Sequence, residues 1–274
     1  MPVVVRLESP YQQIFVEDLD AGYNRSGFVA GQDGVRALRF DLLRQSAVRL
    51  VDGEPDPTLP PVFRYIRCLD LIRWYNPEGK KFLYLGLGAG VAPSRLLSFA
   101  PDADIQAVEL DEVVVRTAED WFGFDSKRIK THVADVFEWL PACNEKFDVI
   151  VVDICFDDSV PTQITSREFM LETLSKLEDG GVVAMNLIGA LAGPKSDSFQ
   201  STLQTFHEVF EDVHVYPINN ELRPLDLTNQ YTNVEVFASN QKLDENIARF
   251  TDLGGMTTDA VLRKIIRDRY YGTP

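Results

Sequence analysis

Cysteine is scarce in this sequence, and its copies are scattered. Cys68, Cys143 and Cys155 are three in number, with no CxxC pair. That excludes a disulfide frame and a zinc knuckle, and it reads as reduced thiols in a cytosolic protein. Long apolar runs are missing too. No stretch approaches the roughly 18 residues that a membrane helix needs. The apolar run within Met1–Glu8 is too short for a signal peptide. Positive charge is in short supply: 27 Lys and Arg stand against 42 Asp and Glu, a net charge of −15. A surface of that sign repels nucleic acid and anionic membranes, so neither is expected as a partner. The global charge serves solubility; only acids placed inside a pocket argue for a cationic ligand. His132, His207 and His214 show neither metal-ligand spacing nor a nucleophile–His–acid arrangement, so no metal is expected.

What is present is an ordinary globular composition. Of 274 residues, 45% are hydrophobic and 25% charged, enough for a core without staples. Three textures divide the chain. Residues 1–58 hold short β-like runs, Val3-Val4-Val5, Gln12–Val16 and Phe28-Val29-Ala30, with a turn at Asp33-Gly34; they predict a small antiparallel N-terminal β unit. Residues 59–242 open with Pro60-Pro61 and a helix over Val62–Tyr75. Apolar runs then alternate with helical patterns. The runs are Phe82–Leu87, Ile105–Glu109, Ile129–Val133, Val149–Asp153, Val182–Asn186, Val213–Tyr216 and Val234–Ala238. The helices fall at Ala92–Phe99, Asp111–Trp121, Ser166–Leu177 and Ser198–Phe210. Alternation of this kind predicts an α/β fold with a seven-stranded, mostly parallel sheet. Residues 243–274 predict two amphipathic helices that pack on the rest.

Chemistry concentrates at strand ends. Phe82-Leu83-Tyr84-Leu85 stops at Gly86, Gly88 and Gly90, with Val91 where a dinucleotide fingerprint needs a further glycine. The pattern suits a nucleoside without a pyrophosphate, because glycine lets a ligand approach the backbone. Glu109 ends the second strand about twenty residues on, where a carboxylate can accept both ribose hydroxyls. Asp111 opens the next helix and fits a cap. Asp135 follows the third strand and has two readings, an acceptor for the adenine amine or a helix cap; Val136 or Phe137 would lie against the ring. Asp153 terminates the apolar strand Val149-Ile150-Val151-Val152, with Asp157 and Asp158 just downstream. That cluster predicts a negative well suited to a protonated amine. Asn186, at the end of the fifth strand, is a lesser candidate for the pocket wall.

These segments resemble the spermidine synthase family of polyamine aminopropyltransferases, which shares the class I methyltransferase fold. The resemblance covers about residues 9–240. It is carried by Ser9-Pro10-Tyr11-Gln12, Leu85–Gly90, Val108-Glu109-Leu110-Asp111, Ala134-Asp135 and Phe147–Asp153. It implies that Gln12 contacts the co-substrate, that Glu109 holds the ribose and Asp135 the adenine amine, and that Asp153 deprotonates the attacking amine. Tyr65 corresponds to a family tyrosine before the glycine loop. In the transfer so implied, Asp157 or Asp158 would anchor the distal ammonium. Decarboxylated S-adenosylmethionine is the implied co-substrate, a small-molecule polyamine the acceptor, and a cytoplasmic homodimer the assembly. The chain departs from the family at three places. Ala89 stands where an aspartate grips the co-substrate's amine, Ile66-Arg67 where His-Glu is usual, and Asp153-Ile154-Cys155-Phe156-Asp157-Asp158 where D-S-S-D-P is usual. These departures keep two rivals in view: a methyltransferase using intact S-adenosylmethionine, and a catalytically silent nucleoside-binding homologue.

Overall fold

The computed structural model describes residues 3–20, 34–155, 161–218 and 232–243. Two sheets carry the fold. The first is an antiparallel meander of β1 (Val3–Glu8), β2 (Gln13–Asp20), β3 (Gly34–Phe40), β4 (Leu43–Val51) and β5 (Glu54–Asp56), paired in chain order. The expected antiparallel unit is therefore present, but β3 and β4 differ from the runs read in the sequence. Their arginines hide them: Arg36 pairs with Asp18 and Arg39 with Glu17 across the sheet, so charged residues sit inside true strands. Phe28-Val29-Ala30 and Asp33 lie outside the described residues.

The helix expected over Val62–Tyr75 begins at α1 (Arg64–Cys68), tightens through a 3-10 turn at Leu69–Leu71 and ends as α2 (Ile72–Tyr75). Ile66, Leu69, Leu71 and Ile72 are all buried, as their spacing requires. Asp70, 4% exposed, is tied to Arg95 at 2.6 Å, which makes its burial tolerable.

The second sheet has seven strands, in the order β11-β12-β10-β9-β6-β7-β8. They are β6 (Lys81–Leu85), β7 (Asp104–Glu109), β8 (Ile129–Val133), β9 (Phe147–Val152), β10 (Leu177–Gly189), β11 (Asp212–Pro217) and β12 (Thr232–Ser239). The five strands β6 to β10 pair in parallel in the order β10-β9-β6-β7-β8, while β12 runs antiparallel to both β10 and β11. The helices between them are α3 (Val91–Phe99), α4 (Glu112–Phe122), α5 (Val136–Ala142), α6 (Arg167–Ser175) and α7 (Asp197–Val209).

The central strands β6 and β9 are apolar without a break over Phe82–Leu85 and Val149–Val152 because both faces are covered there. Phe82, Tyr84, Val149 and Val151 point into one cluster with Leu69, Ile72 and Trp74. Leu83, Leu85, Ile150 and Val152 point into the other with Phe169, Met170 and Phe206. Each such side chain contributes about 1.5–3 kcal/mol on burial. A third cluster joins the two sheets: Ile14, Val16, Leu38 and Val48 pack on Ile66, Ala89, Val91 and Val114. Among the described residues no helix is long and apolar enough to cross a membrane. The tail beyond Leu243 lies outside the described residues.

Candidate active site

Strand order reverses at β6. The chain goes from β6 to β7 and β8 on one side, then crosses to β9 and β10 on the other. Such a reversal opens a crevice beyond the carboxyl ends of the strands. The turn out of β6 is stitched to both neighbours: the Gly86 amide donates to the Val108 carbonyl at 2.9 Å, and the Asp153 amide to that of Leu85 at 2.9 Å. Gly86 has φ +93°, and a Cβ there would lie 2.2 Å from the Asp153 carbonyl oxygen, so glycine is obligatory. Gly88 (φ +55°) would meet nothing within 4 Å and lines the cavity. Gly90, expected with them at the ligand, is placed differently. It caps α3 in the left-handed region and abuts Phe124, 2.4 Å from where its Cβ would be, and it is absent from the cavity wall.

Glu109 leaves the end of β7 and turns back on the glycine loop. Its carboxylate accepts the Leu87 amide at 3.0 Å and the Asp111 amide at 3.1 Å. Burial lifts the carboxyl above its usual range, while these bonds and one from the Gly88 amide pull it back. A carboxylate has about four acceptor sites, so capacity remains toward the cavity. Asp111 caps α4 by accepting the Val113 amide at 2.9 Å. Asp135 caps α5 by accepting the Phe137 amide at 2.9 Å. The cap is thus realised at both; Asp135 also lines the cavity with Val136 and Phe137.

Asp153 stands just past β9. Asn186 donates to its Oδ1 at 2.9 Å, and the Tyr65 hydroxyl lies in hydrogen-bonding reach on the other side. Burial raises this carboxyl and the two donors oppose the rise. The Tyr65 hydroxyl also lies 3.1 Å from the Gln45 carbonyl, so its one proton serves either that carbonyl or Asp153, and burial beside Asp153 holds the phenol protonated. Glu235, wholly buried on β12, has no hydrogen-bond partner among the described residues, and burial drives its carboxyl well up, toward the neutral form. Sequence reading missed Glu235, because one acid in the apolar run Val234–Ala238 carries no signal of what faces it.

One cavity of about 160 Å³ joins these parts. Gln12, Tyr65, Gly86, Gly88, Glu109, Asp135, Val136 and Asp153 all line it. Ser9 places Gln12: its hydroxyl oxygen accepts the amides of Tyr11 and Gln12, both at 3.2 Å, which folds the β1–β2 connection toward the crevice. Phe40 from β3 and Gln45 and Ser46 from β4 also line the wall, with no signal in the sequence. Cys155 lines it beside Asp153. Asp157 and Asp158 lie outside the described residues. Ala89 is 1% exposed and packs among Val91, Val114 and Ile66, away from the cavity. Ile66 lines the cavity, whereas Arg67 is buried and donates to the Pro61 carbonyl at 2.5 Å. Among the described lining residues none is basic.

A glycine turn at the end of β6, with acids at the ends of two neighbouring strands around the switch crevice, marks an α/β protein of the class I methyltransferase fold. A polyamine aminopropyltransferase of Vibrio vulnificus (strain CMCP6) is 26% identical over 190 residues, 68% of this chain and 62% of that protein. The chain thus spans less than two thirds of this curated relative. A probable spermidine synthase from Corynebacterium glutamicum ATCC 13032 superposes with TM-score 0.74 at 18% identity, over 98% of this chain and 94% of that one. Human methyltransferase-like protein 13, solved in complex with SAH, superposes with TM-score 0.54 at 24% identity, over 74% and 89% of the two chains. The model of the spermine/spermidine synthase domain matches residues 70–219, and the chain belongs to that family.

Proposed function

We propose that this protein transfers an aminopropyl group from decarboxylated S-adenosylmethionine to an amine of a small polyamine. One observation carries the reading: Glu109 and Asp153 face the same cavity from opposite sides of the switch point, and no described side chain in its wall is basic. An adenosine ligand that carries positive and no negative charge suits such a wall. The residues fit that ligand. Glu109 retains acceptor capacity for the ribose, Asp135 has its second oxygen for the adenine amine, Val136 and Phe137 offer an apolar face, and Gly88 leaves open space. Gln12 closes the cavity from the N-terminal sheet.

The co-substrate would supply a sulfonium leaving group, so the remaining obstacle is the nucleophile. An alkylammonium has a pKa of about 10.4 and is almost fully protonated at neutral pH. Asp153 must be ionised to receive the proton, and its raised carboxyl makes it a better base than a surface aspartate. The Tyr65 hydroxyl and Asn186 hold it in place. Asp157 is the proposed anchor for a distal ammonium. Orientation of the two partners supplies up to about 7–11 kcal/mol in well-aligned cases. The proposed assembly is a homodimer. The exposed Val3 and Val4 on edge strand β1 support it, and light scattering would test it.

Methyl transfer from intact S-adenosylmethionine is the second reading, raised in the sequence by Ala89. Ala89 packs away from the cavity, so the geometry at that position adds nothing to it. Calorimetry with both nucleosides decides. Tighter binding of the decarboxylated form supports aminopropyl transfer, tighter binding of the intact form supports methyl transfer, and binding of neither leaves a silent homologue.

A further inference from the structure

Behind Asp153, away from the cavity, a file of side-chain amides crosses the sheet. Asn233 on β12 donates through Nδ2 to Oδ1 of Asn186 on β10, at 3.1 Å. Asn186, 4% exposed, donates through its own Nδ2 to Oδ1 of Asp153, at 2.9 Å. Neither asparagine lines the cavity. An amide presents a donor on one side and an acceptor on the other, so fixing one end fixes the other. Asn233 occupies the Asn186 carbonyl oxygen, and the NH2 group of Asn186 is thereby left facing Asp153.

We propose that Asn186, oriented by Asn233, is a positioning residue that ties one oxygen of Asp153 back to the sheet and leaves the other to receive a proton in the cavity. The inference depends on the proposed transfer reaction only for what delivers that proton. The surroundings make the donor necessary. Among the described residues the ionisable groups near Asp153 are Tyr65 from α1 and Glu235 from β12, with Cys155 two positions along its own segment, none of them cationic. Glu235 lies directly across from Asn186 in the β10–β12 register. Among the described residues no positive charge lies beside it, so the buried carboxylate relies on the Asn186 donor, and on Tyr65 when its one proton turns from Gln45, to remain ionised. If the Asn186 amide were reversed, its oxygen would face Asp153 and only the protonated acid could satisfy it.

The test uses the full chain and the variants Asn186→Leu, Asn186→Asp, Asn233→Leu and the double leucine variant. The titration of the Asp153 carboxyl is read by carbon NMR, assigned by its loss in Asp153→Asn, beside the pH profile of kcat/KM. In Asn186→Leu the titration and the acid limb should both move up by about one pH unit, as expected for loss of a hydrogen bond to the charged form. Asn186→Asp should move them further, because two carboxyls must then share a proton. Asn233→Leu should shift them less, and the double variant should match Asn186→Leu, since Asn233 acts through Asn186. An unmoved Asp153 titration in folded Asn186→Leu or Asn186→Asp would overturn the proposal. So would additive shifts in the double variant, or a raised amine KM with a fixed pH profile, which would make Asn186 a substrate ligand. If Asn186→Leu does not fold, Asn233→Leu and Asn186→Asp decide. A wild-type protein without transferase activity in which the titration still moves would sink the proposed function and leave the positioning role standing.

Discussion

Replacing Glu109 by alanine should damage the fold and the ligand site together, in amounts that the structure sets separately. The carboxylate clamps the glycine loop through the Leu87 and Asp111 amides, at 3.0 and 3.1 Å. Removing it takes the acceptor from these two amides and from that of Gly88, each costing about 1–3 kcal/mol if left unpaired and shut off from water. Water can enter the emptied cavity and offset part of this, so the expected loss is about 2–4 kcal/mol. For a chain of this length that lowers Tm by about 4–16 °C. The ribose loses its acceptor as well, which weakens an adenosine ligand by about 1.5–3 kcal/mol, or roughly 10- to 150-fold. Glu109→Gln keeps the shape but turns an NH2 group toward one of the two amides, so its stability loss should approach that of alanine. Calorimetric melting gives the first quantity and titration with 5′-methylthioadenosine the second. An unchanged Tm in Glu109→Ala would refute the clamp. A lowered Tm with wild-type affinity would refute the ribose assignment and leave the clamp intact.

Asp153→Asn should abolish turnover while adenosine affinity stays within about threefold of wild type, because the side chain lies across the crevice from Glu109; unchanged turnover would remove it from the chemistry. Glu235 makes a pH prediction. Its folded carboxyl is raised, so above about pH 4.3 the unfolded chain releases a proton that the folded chain keeps, and stability falls with pH on its account. Glu235→Gln should therefore gain stability relative to wild type as pH rises from about 4 to 7, by about 1.4 kcal/mol per pH unit separating the two midpoints; parallel urea-unfolding curves across that range would contradict it. The glycines predict a crossed pair. Gly90→Ala meets Phe124 and should lower Tm more than Gly88→Ala, which carries only the left-handed strain of about 1–2 kcal/mol. Gly88→Ala should weaken nucleoside binding more, since it alone of the two lines the cavity; melting curves and affinities ranked the same way would be evidence against the division of roles.

The sequence carried the second sheet almost whole. Its seven apolar runs became seven strands, because strands buried on both faces show as unbroken hydrophobic stretches with glycine or an acid at the exit. The first sheet was only half visible. Strands β3 and β4 hold Arg36, Arg39 and Arg44, whose partners Asp18 and Glu17 belong to β2, and a charge looks like loop until its partner strand is known. The tail helices and the Asp157 anchor concern residues outside those described.

Local sequence determined which residues end each strand, since hydrophobic period and turn chemistry act over a few neighbours. That set Gly86, Glu109, Asp135 and Asp153 at their places along the chain. Tertiary structure alone decided what each one faces. Gly90 turned to Phe124, Ala89 sank into the joint between the sheets, Arg67 took the Pro61 carbonyl, and Asn186 and Asn233 met behind Asp153. Side-chain partners are chosen across strands that lie tens of residues apart, and the pattern of a single segment holds no record of them.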